Sequence, residues 1–293
     1  MSSVVLTNQS KDGHEMTATF CPEKGMNLLS FKVGNIELIE QSTKNLFEER
    51  YAGLGSLIGP HFHRRNPSII PSVANEAAFP HIERVRANGV NEPFSHGIMR
   101  YAPWQANHTQ NSLHAKLTGD DEWNGTTIKE LQGFNFKTWI NADLTPEGLQ
   151  LKLSIVSDYD ALVGLHYYYS LPSGPATVRS LVNEQYRDQE EMKSIPSNWQ
   201  YNSQKELIFD LENESDYGFT PSGDPTSGDI ILDTSTHTLR THFSCDNQEI
   251  SWQLYHPKNA AFVCIEPIAA ENPRKPQLTV QTLNVLLQAS PKN

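Results

Sequence analysis

Cysteine is scarce. Three stand among 293 residues, Cys21, Cys245 and Cys264, far apart and odd in number. They supply neither a disulfide framework nor a CxxC metal clip. Positive charge is short as well, with 23 Lys and Arg against 34 Asp and Glu for a net −11. A nucleic-acid binder needs a basic stripe to neutralise phosphates, so the acidic balance argues against that partner class, though not against a small local basic pocket. No stretch nears the ~20 apolar residues of a membrane span. Residues 1–13 hold one Lys and no apolar run of signal-peptide length. A soluble protein of a reducing, cytoplasmic compartment is therefore expected, with neither membrane nor nucleic acid as partner. Internal repeats, low-complexity tracts and Pro/Ser linkers are missing too, so one domain over residues 1–293 is expected. A chain of this length can bury roughly three quarters of its unfolded surface without staples.

Helical periodicity is the last scarcity. The pattern present is the alternation of strands. Leu29, Phe31 and Val33 alternate with Ser30 and Lys32, then Gly34-Asn35 turns the chain into Ile36 and Leu38. Phe134, Phe136, Thr138 and Ile140 alternate, 145–148 turn, and Leu149, Leu151, Leu153 and Ile155 alternate back. Further strand-like runs lie at 16–20, 113–117, 163–169, 230–232, 239–243, 251–255, 261–265 and 278–287. Helix is expected only in short pieces such as Thr43–Tyr51. Many strands at short spacing predict an all-β fold, a large antiparallel β-sandwich with few short helices. The polar stretches 186–204 and 213–228 read as long functional loops.

Histidine, by contrast, is plentiful: eleven in all, four of them between His61 and His96. His61-Phe-His63 has the opening spacing of a cupin metal site, with both rings on one strand face. Such a site wants a carboxylate three or four residues on, and Asn66, Pro67 and Ser68 stand there instead, so no metal is expected. His96 sits in a polar cluster, Ser95-His-Gly-Ile-Met-Arg100, that closes on Trp104. His166 lies mid-strand, where alternation puts His166 and Tyr168 on one face and Leu165, Tyr167 and Tyr169 on the other. Glu266 follows the apolar run 261–265 and precedes Pro267. An acid at the end of a buried strand costs several kcal/mol unless paired or wetted, which makes Glu266 the most informative position.

In chain order these segments resemble the aldose 1-epimerase, or galactose mutarotase-like, family. Gly25-Met-Asn-Leu is similar to its N-terminal strand and Pro60-His-Phe-His-Arg64 to its Pro-x-x-x-Arg. His96-Gly-x-x-Arg100-x-x-x-Trp104, Gly164-Leu-His166-x-Tyr168 and Cys264-Ile-Glu266-Pro267 complete the set. The resemblance implies a galactose mutarotase-like supersandwich with a small-molecule sugar as partner, and an activity without organic cofactor or metal. It implies Glu266 as base on O1, His166 as acid on the ring oxygen and His96 as a hydrogen-bonding catalytic partner. Arg64, with Arg65 as competitor, and Asp216, with Asp210 and Asp224 as competitors, would hold hydroxyls. Arg100, Trp104, Tyr168 and Phe62 would complete the sugar's surroundings.

Mutarotation suits such residues. The C1 hydroxyl must lose a proton while the ring oxygen gains one, so one ionised and one protonated group are needed on opposite sides of the sugar. Glu near ~4.3 and His near ~6.5 start close to those states in solution and would give a bell-shaped pH profile. Arginines gathered between Arg64 and Arg100 leave a hexose 6-phosphate open as substrate. A carbohydrate-binding protein that lost turnover is the other alternative.

Overall fold

The structure is a computed structural model and describes residues 2–65, 67–246 and 248–292. Two large antiparallel sheets carry it, with short helices at Lys44–Arg50, Pro80–Ala87 and Ile128–Gln132. The first sheet has eleven strands. Its central order is Gly55–Ile58, Gly164–Ser170, Phe262–Ile268, Ser251–His256, Ser215–Pro221 and Val182–Asp188. The second has ten strands, and the long hairpin Phe136–Thr145 with Gly148–Ser157 lies inside it.

The alternation read from the sequence explains both sheets. Leu149, Leu151, Leu153 and Ile155 are buried, whereas Gln150 and Lys152 on the other face are exposed. Strand Asn27–Val33 turns at 34–35 into Ile36–Glu37, as the Gly-Asn pair predicts. In the first sheet, Leu165, Tyr167, Tyr169, Val263, Ile265, Trp252 and Leu254 all join the main apolar core. Their neighbours in sequence point the other way, and that opposite face is where polarity collects.

One expectation fails. The stretches 186–204 and 213–228 are about half strand, at Val182–Asp188, Glu191–Ser194, Gln200–Tyr201, Ser215–Pro221 and from Ser227 on. Their polar residues line a groove, so composition imitates a loop where the strand face is wet. The segment around Arg84 and Arg86 is a short helix, Pro80–Ala87, and both arginines are exposed on it. Arg84 donates to the carbonyls of Glu48 and Glu49, and Arg86 forks onto Glu76 at 2.7 and 2.6 Å. Neither reaches the polar face of the first sheet. Among the described residues no helix is long and apolar enough to cross a membrane.

Candidate active site

Strand register builds the site. Gly164 pairs with Ile268 and Tyr167 with Ile265, which sets His166 beside Glu266. Glu266 pairs with Gln253, Gln253 with Gly218, and Gly218 with Arg187. One row of residues therefore crosses five strands on the face turned away from the core. A second row, two residues along, holds Tyr168, Cys264, Tyr255 and Asp216. Gly218 leaves room in the first row for the Arg187 guanidinium, which crosses over it 2.2 Å from where a Cβ would stand.

Two loops roof the row. The amide of His96 donates to the carbonyl of His63 at 2.9 Å, and that of Gly59 to the carbonyl of His96 at 2.8 Å. A Cβ on Gly97 would lie 1.9 Å from the Gly59 oxygen, which explains a glycine directly after His96. His63 and His96 both take left-handed backbone, φ 53° and 67°, a strained state that recurs at functional positions.

Between rows and roof lies a cavity of about 160 Å³. His166 and Glu266 form its floor, Asp216, Gln253 and Tyr255 one wall, and His63, His96, Phe62 and Arg274 the other. Drug-sized pockets run ~300–1,000 Å³, so this one suits a single small ring. His166 Nε2 stands 3.4 Å from Glu266 Oε1, both side chains being buried. Among the described residues, Oε2 of Glu266 and Nδ1 of His166 are buried without a hydrogen-bond partner. The His166 ring is stacked on Tyr168 at 5.0 Å and meets His96 edge-on at 5.0 Å. Nδ1 of His96 accepts from the His63 amide at 3.4 Å, which leaves its Nε2–H to donate. Gln253 donates to Asp216 at 2.7 Å and accepts from Arg187 at 3.2 Å, so one amide orients the acid on the wall.

The electrostatics reverse the solution picture. Burial, and next the Asp216 charge, hold Glu266 well above the usual carboxylate range. Burial, with Arg100 adding to it, holds His166 well below the usual histidine range. His96 is lowered in the same way, by burial first and then by Arg100. Both shifts favour a protonated carboxyl beside a neutral ring, opposite in direction to the ionised Glu and charged His from which the sequence reading starts. The expected separation across a sugar ring is also corrected. The two groups touch, and the chemistry allows it, because O1 and the ring oxygen are both bonded to C1.

The residues expected around the sugar divide. Glu266, His166, His96, Asp216 and Phe62 share the cavity. Asp210 lies in the second sheet and Asp224 caps a turn through Thr226, so neither competes with Asp216. Arg64 is exposed on a neighbouring cleft. Arg65 is buried and spent on Glu92, through Nε at 2.9 Å and Nη2 at 2.5 Å. Arg100, Trp104 and Tyr168 do not line the cavity. Arg100 is buried and donates to the Leu57 carbonyl at 3.2 Å, and Trp104 is a core residue donating to the Met99 carbonyl at 3.0 Å. Tyr168 supports the His166 ring from beneath. The His-Gly-x-x-Arg-x-x-x-Trp segment is therefore one site residue and its scaffold.

His63, Gln253, Tyr255 and Arg274 were not foreseen. Ser251, Gln253 and Tyr255 do alternate with Trp252 and Leu254, a readable polar face; Arg274 sits in a loop with no such signal. The cupin reading also falls, since His61 and His63 lie in a loop beyond strand Gly55–Ile58. Among the described residues, His166, Cys264 and Glu266 bring three metal-type donor atoms within 4.8 Å of one another. Burial pushes the Cys264 thiol well up, against the thiolate a metal needs.

No protein-family model matches the sequence, and no curated protein matches it. Solved structures do. A galactose mutarotase-like protein from Lactobacillus casei superposes with a TM-score of 0.68, at 12% identity over 99% of this chain and 100% of that one. The chain has the galactose mutarotase-like fold. An aldose epimerase homologue from C. elegans gives a TM-score of 0.68 at 13% identity, with both chains covered completely. A galactose mutarotase related enzyme from Lactobacillus acidophilus gives 0.63 at 14%, covering 98% and 97%. Identities this low establish the galactose mutarotase-like fold and leave the chemistry to the site itself.

Proposed function

We propose that the protein is an aldose 1-epimerase, interconverting the α and β anomers of a sugar by acid–base ring opening. The observation that carries this reading is the His166–Glu266 pair, 3.4 Å apart on the floor of a cavity sized for one ring. In the opening step the Glu266 carboxyl gives its proton to the ring oxygen while His166 Nε2 takes the C1 hydroxyl proton. The bond from C1 to the ring oxygen breaks and a C1 carbonyl forms. The pair then holds carboxylate and imidazolium, with its proton count unchanged. After rotation about C1–C2 the C5 hydroxyl adds to the other carbonyl face, and both transfers run backwards. His96 donates to the reacting oxygens, and Asp216, held by Gln253, fixes a ring hydroxyl by a charge-assisted hydrogen bond.

A hexose 6-phosphate is the second reading, favoured by Arg274 on the cavity wall and the exposed Arg64 in the adjoining cleft. Polarimetry on freshly dissolved α-glucose, α-galactose and α-glucose 6-phosphate tests both. Accelerated equilibration of one of them, abolished in Glu266→Gln, is expected. No acceleration of any, or an unimpaired Glu266→Gln, overturns the assignment. The one-proton pair also changes the pH profile: in place of a narrow bell, activity should hold a broad plateau across neutrality. It falls only where the pair gains a second proton in acid or loses its last in base.

A further inference from the structure

Arg187 stands behind the wall of the ring cavity, not in it. Its strand, Val182–Asp188, is the last of the five that the first row crosses. Its side chain lines a separate wide cleft of about 1,060 Å³ that shares no lining residue with the ring cavity. The guanidinium is buried, yet among the described residues it forms no ion pair, and its one side-chain hydrogen bond runs from Nη2 to Oε1 of Gln253 at 3.2 Å. The Gln253 amide passes the contact on, donating from Nε2 to Oδ1 of Asp216 at 2.7 Å. We propose that Arg187 is a positioning residue: by fixing the Gln253 amide it aims Asp216 at one ring hydroxyl of the sugar. The inference rests on the epimerase reading and adds to it a residue that touches no substrate.

Hydrogen-bond sense gives the chain of contacts a direction. An amide presents an acceptor at one end and a donor at the other, in nearly the same shape. A guanidinium only donates and a carboxylate only accepts, so a glutamine between them satisfies both in a single orientation. Without Arg187 nothing selects that orientation, and a long side chain regains its rotamers. Asp216 lines the cavity and takes no second hydrogen bond among the described residues, which leaves Oδ2 for a hydroxyl.

Two further observations separate this arrangement from a structural ion pair. Where a buried arginine serves the architecture it forks directly onto an acid, as Arg65 does on Glu92. A direct pair between Arg187 and Asp216 would satisfy the guanidinium better but would occupy the carboxylate, whereas the interposed amide leaves it a free oxygen. The strand between them is also shaped for the crossing. Gly218 pairs with both Gln253 and Arg187, and its backbone is not left-handed, so no turn requires a glycine there. A Cβ on it would lie 2.2 Å from Nη2 of Arg187 and 2.8 Å from Oε1 of Gln253, the two atoms of the bond. An alanine at 218 would therefore displace the guanidinium from the amide.

Anomeric exchange NMR tests this with wild type, Arg187→Met and Gly218→Ala, the last of which keeps the charge and moves it. The probes are whichever of glucose, galactose and glucose 6-phosphate equilibrates fastest, and its 2-, 3- and 4-deoxy forms. In wild type one deoxy form should lose about ten-fold or more in kcat/KM, the size of a charge-assisted hydrogen bond. Both variants should impose a loss of that size on the parent sugar and less than about two-fold on the same deoxy form. An even loss across all the sugars is what a merely structural role gives, and it overturns the proposal. So does full parent activity in Arg187→Met, a Gly218→Ala protein that keeps the wild-type preference, or a wild type indifferent to every deoxy form. If no sugar exchanges at all, the epimerase reading is what fails, and the relay is decided on the free protein. The side-chain amide signal of Gln253, assigned by its absence in Gln253→Met, should exchange with solvent about ten-fold faster in Arg187→Met. An unchanged rate ends the proposal.

Discussion

The protein buries two glutamates beside two basic partners and treats them in opposite ways. Glu92 accepts from Arg65 Nε, Nη2 and amide and from the Phe94 amide, while Arg65 also donates to the Gln132 carbonyl. Burial alone would raise that carboxyl, but the Arg65 hydrogen bonds and the charges of His61 and Arg65 together bring it below the usual range. Among the described residues Glu266 has His166 as its one ionic partner, keeps one oxygen without a hydrogen bond and is driven up. A fully satisfied buried pair is architecture. One left with spare valences in a cavity is held ready for something that brings its own hydrogen bonds.

The sharpest way to break this contrast is to remove one member of each pair. Glu266→Gln should lower kcat by about 10²–10⁴-fold, with no loss of melting temperature, as steady-state kinetics and calorimetry on one preparation would show. Arg65→Ala should act the other way round. Stranding Glu92 costs about 3–5 kcal/mol in denaturant unfolding, and the double variant Arg65→Met with Glu92→Leu should recover most of it. Full activity in Glu266→Gln, or an Arg65→Ala protein as stable as wild type, would erase the distinction.

Next in size is the dependence on pH, where the two acids pull in opposite directions. Glu92 is lowered on folding, so its contribution is present above the unfolded value and is lost as pH falls through the folded one. Glu266 is raised, so its contribution is present in acid and is lost as pH climbs above the unfolded value. Glu266→Gln should therefore match wild type near pH 4 and exceed it in stability near pH 8. His81 adds to the acid limb. Its ring, stacked on Tyr101 at 4.8 Å, is lowered from 6.5 to about 4 by burial, then by the Arg84 charge. That stability is complete above pH 6.5 and is lost on the way down to 4, and His81→Leu should flatten the limb by about 3 kcal/mol.

The smallest effect lies inside the His96–Trp104 segment, which repeats the contrast in miniature. Trp104→Phe removes the bond to the Met99 carbonyl and part of a core ring, together about 1–3 kcal/mol, and should leave turnover nearly untouched. His96→Asn should reduce turnover with little change in stability. A Trp104→Phe protein that is stable but slow would return Trp104 to the sugar's surroundings.

How far the sequence could be read follows the range of the interactions involved. The hairpin around 145–148 and the two faces of strand Gly164–Ser170 were legible, because alternation is local and burial acts residue by residue. The histidines and Glu266 were legible for the same reason: each stands out against its immediate neighbours. The groove strands near 186 and 216 were not, since residues facing water within a sheet look like loop. Arg65 could not be told from Arg64 without Glu92, 27 residues onward, which decides which guanidinium is buried. Gln253 could be assigned to a polar face but not to Asp216, because that match exists only in the register of neighbouring strands.

That register has a consequence for how the molecule comes to be competent. His166 and Glu266 are a hundred residues apart in the chain, and Ser56, opposite His166, is another 110 away on the other side. Contacts of such sequence separation close slowly, after local hairpins have formed. The row across five strands is thus among the last things the nascent chain completes. Until Phe262–Ile268 has seated between its neighbours, a molecule with most of its hairpins formed still has no reactive pair, and the return of turnover during refolding should trail the return of strand structure.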